Sequence, residues 1–370
     1  MRNVLGVVNF EESNVVVEKM CQYRSISALS FLGRYRVIDF VLSNMVNSGL
    51  NQIALLVKDK PRSLMEHISS ASQYNINTKH GSLQMLYSDN SDINSIYFND
   101  AALCRQYAHS ILSSPCDYVL LAPSNCICRA DYNDLYQAHI NSDADISVLY
   151  QNVDTADQHF LGCRTLAIED NYVTGFYKNI GSHKHRNIFM ETYLMKKDFF
   201  LKLLNDAEKK SPLLSISDYI AKQVADFKIQ AVKYKGFLGI INSFKEYYDI
   251  SMNLIEFKNA ALLFSRDWPV YTKTNDSAPA FYTRSAVVNN SLIANGCQVH
   301  GTLDNAILGR GVLISKGAVI KNSIIMPYAK IGPDCVIENT IVDKHATVFN
   351  VKEIKGTVNE PAYIKRRDNV

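Results

Sequence analysis

The nine histidines and eight cysteines are the first residues to test for chemistry. No histidine stands at nucleophile–base spacing, so acyl transfer and metal hydrolysis find no support. Cys126 and Cys128 are one residue apart, but no second pair or histidine follows at zinc-ligand spacing. They read as buried thiols of a reducing, cytoplasmic compartment. Glu11 and Glu12 place two carboxylates side by side in the loop after the first apolar run. Arg24, Arg34 and Arg36 crowd one short stretch, and Lys365-Arg366-Arg367 form a basic run near the C-terminus that reads as a solvated tail. A net charge of +3 is too weak for nucleic acid or an anionic membrane.

These side chains need elements to hold them. A chain of 370 residues is longer than one compact core usually holds. The opening MRNVLGVVNF is apolar but short, with no small-residue cleavage site, and reads as a buried strand. From residue 1 to 259, short β-rich runs alternate with helical stretches. Val4–Val8, Ile53–Val57, Tyr118–Leu121 and Ile146–Tyr150 read as strands, and Phe40–Asn47, Asp100–Leu112 and Asp131–Ile140 as helices. Such alternation predicts a Rossmann-like α/β domain with a mostly parallel sheet. Ligands then sit at the carboxyl ends of strands, which points to the loops after Val8 and after Leu121.

From residue 281 to 370 the chain follows a six-residue period: AVVNNS, LIANGC, QVHGTL, DNAILG, RGVLIS, KGAVIK and onward. Gly296, Gly311, Gly317 and Gly332 mark corners. This is the pattern of a parallel β-helix of hexapeptide repeats. His300 is the one candidate for a histidine set between coils, as some β-helix acyltransferases have. Residues 260–280 read as a linker, with the single tryptophan, Trp268, as its anchor.

The segment Gly33-Arg34-Tyr35-Arg36-Val37-Ile38-Asp39-Phe40, continuing through Ser43-Asn44-Met45-Val46-Asn47-Ser48-Gly49, resembles the GKYRIIDFxLSNxxNSG block of bacterial ADP-glucose pyrophosphorylase (glucose-1-phosphate adenylyltransferase). Asp267-Trp268-Pro269-Val270 is similar to that family's DWPI, and Ala278-Pro279-Ala280-Phe281 to its PPAKF. The resemblance implies a nucleotidyltransferase-like domain followed by a left-handed parallel β-helix.

Nucleotidyl transfer needs a glycine-rich phosphate loop, a cation and carboxylates for Mg²⁺. The positions matched to the family's loop glycines, lysine and metal aspartates lack their groups. Glu11 and Glu12 stand where the loop glycines belong, and like charges would repel a phosphate there. In the R-x-KPA motif Arg24 is kept, but Ile26 replaces the lysine and Ser27 the proline. Asn125 replaces the aspartate of SGDH, and Ile240 the aspartate of GYWxDVGT. FxEKP becomes Phe176-Tyr177-Lys178-Asn179-Ile180, with its lysine one place early, and GTA becomes Asn99-Asp100-Ala101. Asp131 follows too late to substitute and reads as a helix cap.

What the resemblance implies is a degenerate site with no catalytic residue and no Mg²⁺. The chain is similar to the regulatory, GlgD-type subunit of firmicute bacteria. The resemblance therefore implies a heterotetramer with a catalytic ADP-glucose pyrophosphorylase subunit, serving glycogen synthesis. The competing expectation is an active sugar-1-phosphate nucleotidyltransferase with a rebuilt site. Arg36 falls on a family position that contacts phosphorylated effectors, with Arg24 and Arg34 close by. Tyr23 and Ser30 replace a basic residue and a histidine there. Arg34 and Arg36 as structural ion-pair donors is the equal alternative.

Overall fold

The structure is a computed structural model that describes residues 1–370 apart from 2, 11–16, 18, 59, 70, 78 and 88–97. Glu11 and Glu12 therefore lie outside the described residues. No helix among the described residues is long and apolar enough to cross a membrane. Contacts divide the chain into two compact units: Met1–Val15, Ile38–Asn242 and Arg266–Tyr271 form one, and Val16–Val37, Ser243–Ser265 and Thr272–Val370 the other. The division differs from the expected run of 1–259, 260–280 and 281–370. Side chains from early in the chain join the coils, and the linker itself is split.

The first unit is built on a nine-stranded sheet. In chain order its strands are β1 (Val4–Asn9), β2 (Gln52–Val57), β3 (Ser82–Tyr87), β4 (Tyr118–Pro123), β5 (Ile146–Val153), β6 (Arg164–Glu169), β7 (Tyr172–Lys178), β8 (Arg186–Lys196) and β9 (Ile229–Lys233). Their order across the sheet is β3-β2-β1-β4-β8-β5-β9-β7-β6. Seven strands run one way, and β7 and β8 run against them. The sheet is thus mostly parallel in direction, with two reversed strands breaking the parallel ladder. Val7 on β1 sits between Ala54 and Leu121, and all three are buried in one core. That is why the opening run is apolar at nearly every position rather than alternating.

The helices Ile38–Asn47 and Tyr132–Ile140 lie where expected, and Asp131 caps the second by accepting from Asn133 N at 2.9 Å. The expected helix over Asp100–Leu112 is two helices, Asp100–Gln106 and Ala108–Ser113, which meet at Tyr107. Helix Ile38–Asn47 carries the SNMVNSG block, whose polar residues hold the linker. Trp268 Nε1 donates to Asn44 Oδ1 at 2.9 Å, Tyr271 N to Ser43 Oγ at 2.8 Å, and Asn47 Nδ2 to Pro269 O at 2.9 Å. Ser48 Oγ accepts from Tyr132 N at 2.9 Å. The block is a clamp on Arg266–Tyr271, and Trp268 is the anchor it grips.

The second unit is a parallel β-helix. Val299, Ile314, Ile331 and Val348 stack coil on coil, as do Leu303, Ile320 and Ile337. All seven are buried in its interior. Val319 pairs with Val336, and Val336 with Glu353, a step of 17 residues per coil. Three blocks of six would make a longer step, so a strict frame of sixes slips along the chain. Gly296, Gly311 and Gly317 have φ of +79°, +66° and +77° at corners, whereas Gly332 is not left-handed. Other corners are turned by asparagines: Asn290, Asn305, Asn322 and Asn339 all have positive φ. Asparagine tolerates this conformation better than other side chains. They also ladder, with Asn290 Nδ2 donating to Asn305 Oδ1 at 3.2 Å and Asn305 Nδ2 to Asn322 Oδ1 at 2.7 Å.

Two non-coil segments cover this unit. Helix Phe244–Asn253 sends Tyr248 OH to Asn322 O at 2.6 Å and Tyr247 OH to Ser30 O at 2.5 Å. Gly33 opens the sequence block discussed above because of the coil beside it. Its φ is +77°, and a Cβ there would lie 2.7 Å from Leu308 O. Gly33→Ala should therefore destabilise the unit by about 1–3 kcal/mol. Thermal unfolding checks this, and an unchanged Tm would mean the contact yields freely.

Candidate functional site

A cavity of about 390 Å³ opens in the first unit at the carboxyl ends of β1 and β4, lined there by Asn9, Phe10, Pro123 and Asn125. This is where an α/β sheet places its ligand. Asn125 follows β4 and turns the chain into the short strand Cys126–Cys128, which pairs with Leu238–Ile240. Cys126 faces Ile240 in that register. The two positions matched to metal aspartates, Asn125 and Ile240, are thus brought to one wall of one cavity.

Their chemistry is not that of a metal site. Asn125 Nδ2 donates to Ile241 O at 3.0 Å, and Ile241 N donates back to Asn125 O at 3.0 Å. The amide is a structural clip between two strands. Ile240 has no donor atom at all. Mg²⁺ takes hard oxygens in near-octahedral array, and an engaged amide beside a hydrocarbon does not fit it. Among the described residues no cluster of three His, Cys, Asp or Glu side chains could hold a metal. Of the neighbouring buried thiols, Cys126 and Cys128 lie 3.8 Å apart, and that hydrogen bond, then burial, pushes the Cys126 thiol well up.

The other wall carries charges that sequence motifs did not reveal. Arg164, on β6, donates through Nη2 to Asp218 at 2.8 Å and through Nε lies 3.4 Å from Glu191. Ser217 Oγ donates to Glu191 Oε2 at 2.8 Å, and Tyr193 OH to Ser217 Oγ at 2.7 Å. Burial raises the Asp218 carboxyl, but hydrogen bonds from Arg164 and Ser215 outweigh it and leave the pKa below the usual carboxylate value. Glu191 sits at a register break in β8 with φ +49°. A left-handed glutamate costs about 1–3 kcal/mol, which the surrounding bonds must offset. The only sequence signal was a charged residue inside an otherwise apolar strand, Phe189-Met190-Glu191-Thr192-Tyr193.

A profile of the nucleotidyl transferase family matches residues 22–254, and a GlmU-like C-terminal hexapeptide profile matches 278–360. The glycogen biosynthesis protein GlgD of Geobacillus stearothermophilus is 31% identical over 323 residues, spanning 86% of this chain and 82% of its own. This chain belongs to the GlgD and glucose-1-phosphate adenylyltransferase family. GlgD of Bacillus subtilis (strain 168) is 26% identical over 98% of this chain and 96% of its own. The glucose-1-phosphate adenylyltransferase of Fervidobacterium nodosum is 25% identical over 94% and 84%.

The remaining candidate positions of this GlgD-family chain are scattered by the fold. Ile26, at the lysine position, is buried in a 3₁₀ turn of the second unit. Lys178 is exposed at the cavity edge. Asn99 caps a helix by accepting from Ala102 N at 2.9 Å, and Asp100 is buried, accepting from Asn9 Nδ2 at 2.6 Å and Ile216 N at 3.0 Å. His300 packs its ring 6.1 Å from that of Phe281.

The three arginines separate. Arg24 is 3% exposed, and its Nη2 lies 2.7 Å from both oxygens of Asp343, which also accepts from Tyr363 OH at 2.6 Å. Arg24 is thus an ion-pair donor rather than an open anion ligand. Arg36 donates to Ala28 O at 3.0 Å. Arg34 is exposed, 5.1 Å from the ring of Tyr35. Lys344 joins this group unforeseen. Burial first, then Arg36 and Arg24, holds it well below the ordinary lysine value despite Asp343.

Asn125→Asp should not create a metal site. It sets a carboxylate against Ile241 O and should cost about 1–3 kcal/mol at neutral pH. The loss should shrink as pH falls, because the protonated carboxyl can donate to that carbonyl. Tm against pH, with and without Mg²⁺, tests this; Mg²⁺-dependent stabilisation would contradict it. Arg24→Ala should cost about 3–5 kcal/mol by leaving Asp343 buried and unpaired. Adding Asp343→Leu should recover a good part, and simple additivity in denaturant unfolding would deny the coupling.

Proposed function

We propose that this chain is the regulatory, non-catalytic subunit of a glucose-1-phosphate adenylyltransferase. It assembles in the cytoplasm with a catalytic homologue, as a heterotetramer, and modulates the supply of ADP-glucose for glycogen synthesis. The observation that carries this reading is the Asn125–Ile241 clip beside Ile240. Where a transferase needs two metal carboxylates, this wall offers an engaged amide and a hydrocarbon. Without Mg²⁺ the phosphates are neither bridged nor oriented. The second unit keeps its stacked coils intact, in a left-handed β-helix by analogy with the family, and offers the surface for assembly. A partner that prefers one conformation of the catalytic subunit shifts its equilibrium by that preference alone. Arg36 and Lys344, with exposed Arg34 nearby in sequence, give an anionic effector its foothold, while Arg24 is committed to Asp343.

The test is turnover with ATP, glucose 1-phosphate and Mg²⁺, on this chain alone and mixed with the catalytic homologue. The expected result is a rate at least about 1,000-fold below an ordinary family enzyme alone, given loss of both metal and cation. Mixing should yield a stable complex with altered rate or effector response. Ordinary turnover by the isolated chain would favour an active enzyme with a rebuilt site. Absence of both complex and rate change would remove the regulatory assignment.

A further inference from the structure

The thiols at the cavity wall are reactive groups that no family motif accounts for. All eight cysteines are thiols, and three of them meet here: Cys126, Cys128 and Cys163. Cys126 and Cys163 line the cavity, and Cys128 Sγ lies 3.8 Å from Cys126 Sγ. One stretch of backbone fixes the two lining sulfurs. Cys126 pairs with Ile240 in the short two-stranded sheet. Two residues on, Asn242 Nδ2 donates to Cys163 Sγ at 3.2 Å and to Leu161 O at 2.7 Å. Residues 240–242 therefore hold both sulfurs to neighbouring points of the wall, close enough for the charge of one to act on the other.

Their surroundings give them different roles. Cys163 is half-buried, whereas Cys126 is only 5% exposed. Lys178 lies over the glycine before Cys163: a Cβ on Gly162 would stand 3.8 Å from Lys178 Cε. A partly open thiol beside a cation and a donated N–H is the kind that meets a reagent first. The Cys126 thiol, pushed well up by its hydrogen bond with Cys128 and then by burial, ionises reluctantly and acts second. Cys128 is the nearer sulfur but the poorer partner. At the rise of a strand, Cα atoms two residues apart stand about 6.6 Å from each other. That is the far end of what a disulfide spans, so closing that pair would buckle the strand. Cys163 comes from a separate segment, just before the strand Arg164–Glu169, and is not bound by that spacing.

We propose that Cys163 and Cys126 form a thiol–disulfide exchange site, entered by a small-molecule disulfide at Cys163 and closed as one bond across the cavity wall. The Cys163 thiolate attacks one sulfur of the small disulfide; its S–S bond breaks, one small thiolate leaves, and a mixed disulfide forms. The Cys126 thiol then loses its proton to water and attacks Cys163 Sγ, which expels the second small thiolate. Two protein thiols are oxidised, one small disulfide is reduced to two small thiols, and the two protons end on those thiols. The closed bond ties residues 160–163 to the strand Cys126–Cys128. This chemistry is independent of nucleotidyl transfer and of any catalytic homologue.

The test is oxidation of the full isolated chain with 2-hydroxyethyl disulfide, quenched by alkylation and mapped by mass spectrometry. The parent chain should become lighter by two hydrogen atoms, with the new bond joining Cys163 to Cys126, and dithiothreitol should reverse it. Cys163→Ser should slow oxidation by about ten-fold or more. Cys126→Ser, or Cys126→Ala if the serine does not fold, should stop at the mixed disulfide on Cys163. Cys128→Ser should still close the bond. In the parent, closure of the mixed disulfide should quicken roughly ten-fold per pH unit, because a higher pH raises the thiolate fraction of Cys126. A bond mapped between Cys126 and Cys128 would overturn the assignment. So would a parent chain that keeps Cys163 unmodified under excess disulfide, or a Cys163→Ser chain that oxidises as fast as the parent. The mapping on the parent chain decides even where a variant fails to fold.

Discussion

Each coil of the second unit can satisfy its backbone only on the coils beside it, and that requirement shapes the unit. Parallel stacking needs residues in register, and the coils keep it with a step of 15 residues from Val299 to Ile314 and of 17 from Val319 to Val336 and Glu353. Register places chemically equal residues above one another even where the step changes from 15 to 17 residues. Val299, Ile314, Ile331 and Val348 therefore form one interior column, and Asn290, Asn305 and Asn322 one corner column. The corners must turn through left-handed backbone, which glycine and asparagine accept at least cost. Where coils meet other segments closely, as at Gly33 against Leu308, no side chain fits. Around the same coils Arg24 finds Asp343, burying two opposite charges that are tolerable only together.

The first unit obeys a different constraint. A cavity at strand ends exposes polar groups that must find partners or water. In an active site some groups stay poised for substrate. Here they satisfy one another: Asn125 with Ile241, Arg164 with Asp218 and Glu191, Ser217 with Glu191 and Tyr193. Such mutual satisfaction leaves Asn125 Nδ2 and the Arg164 guanidinium engaged within the protein. The same bonds offset the cost of the left-handed backbone at Glu191.

The SNMVNSG block links sequence pattern to structural duty. Its polar residues bond within the first unit. Ser43, Asn44 and Asn47 bind the backbone and indole of Arg266–Tyr271, and Ser48 holds the start of the next helix. Ser43, Asn44, Asn47 and Ser48 thus each have a fixed partner inside the protein.

Much of this was legible in the sequence because it depends on local period and residue type. Apolar runs gave away β1, β4 and β5, the six-fold rhythm gave away the β-helix, and Asp131 announced its cap. That Asn125 and Ile240 bring an amide and a hydrocarbon to the cavity wall was half legible too, since side-chain type does not change on folding. Tertiary structure decided the rest. Only folding could reverse β7 and β8, assign residues 16–37 to the coils, and commit Arg24 to a carboxylate 319 positions away. Only folding could gather Arg164, Glu191 and Asp218 around one cavity. The reason is physical: a residue's type sets which bonds it can make, but the partner it makes them with is fixed by contacts that no local pattern encodes.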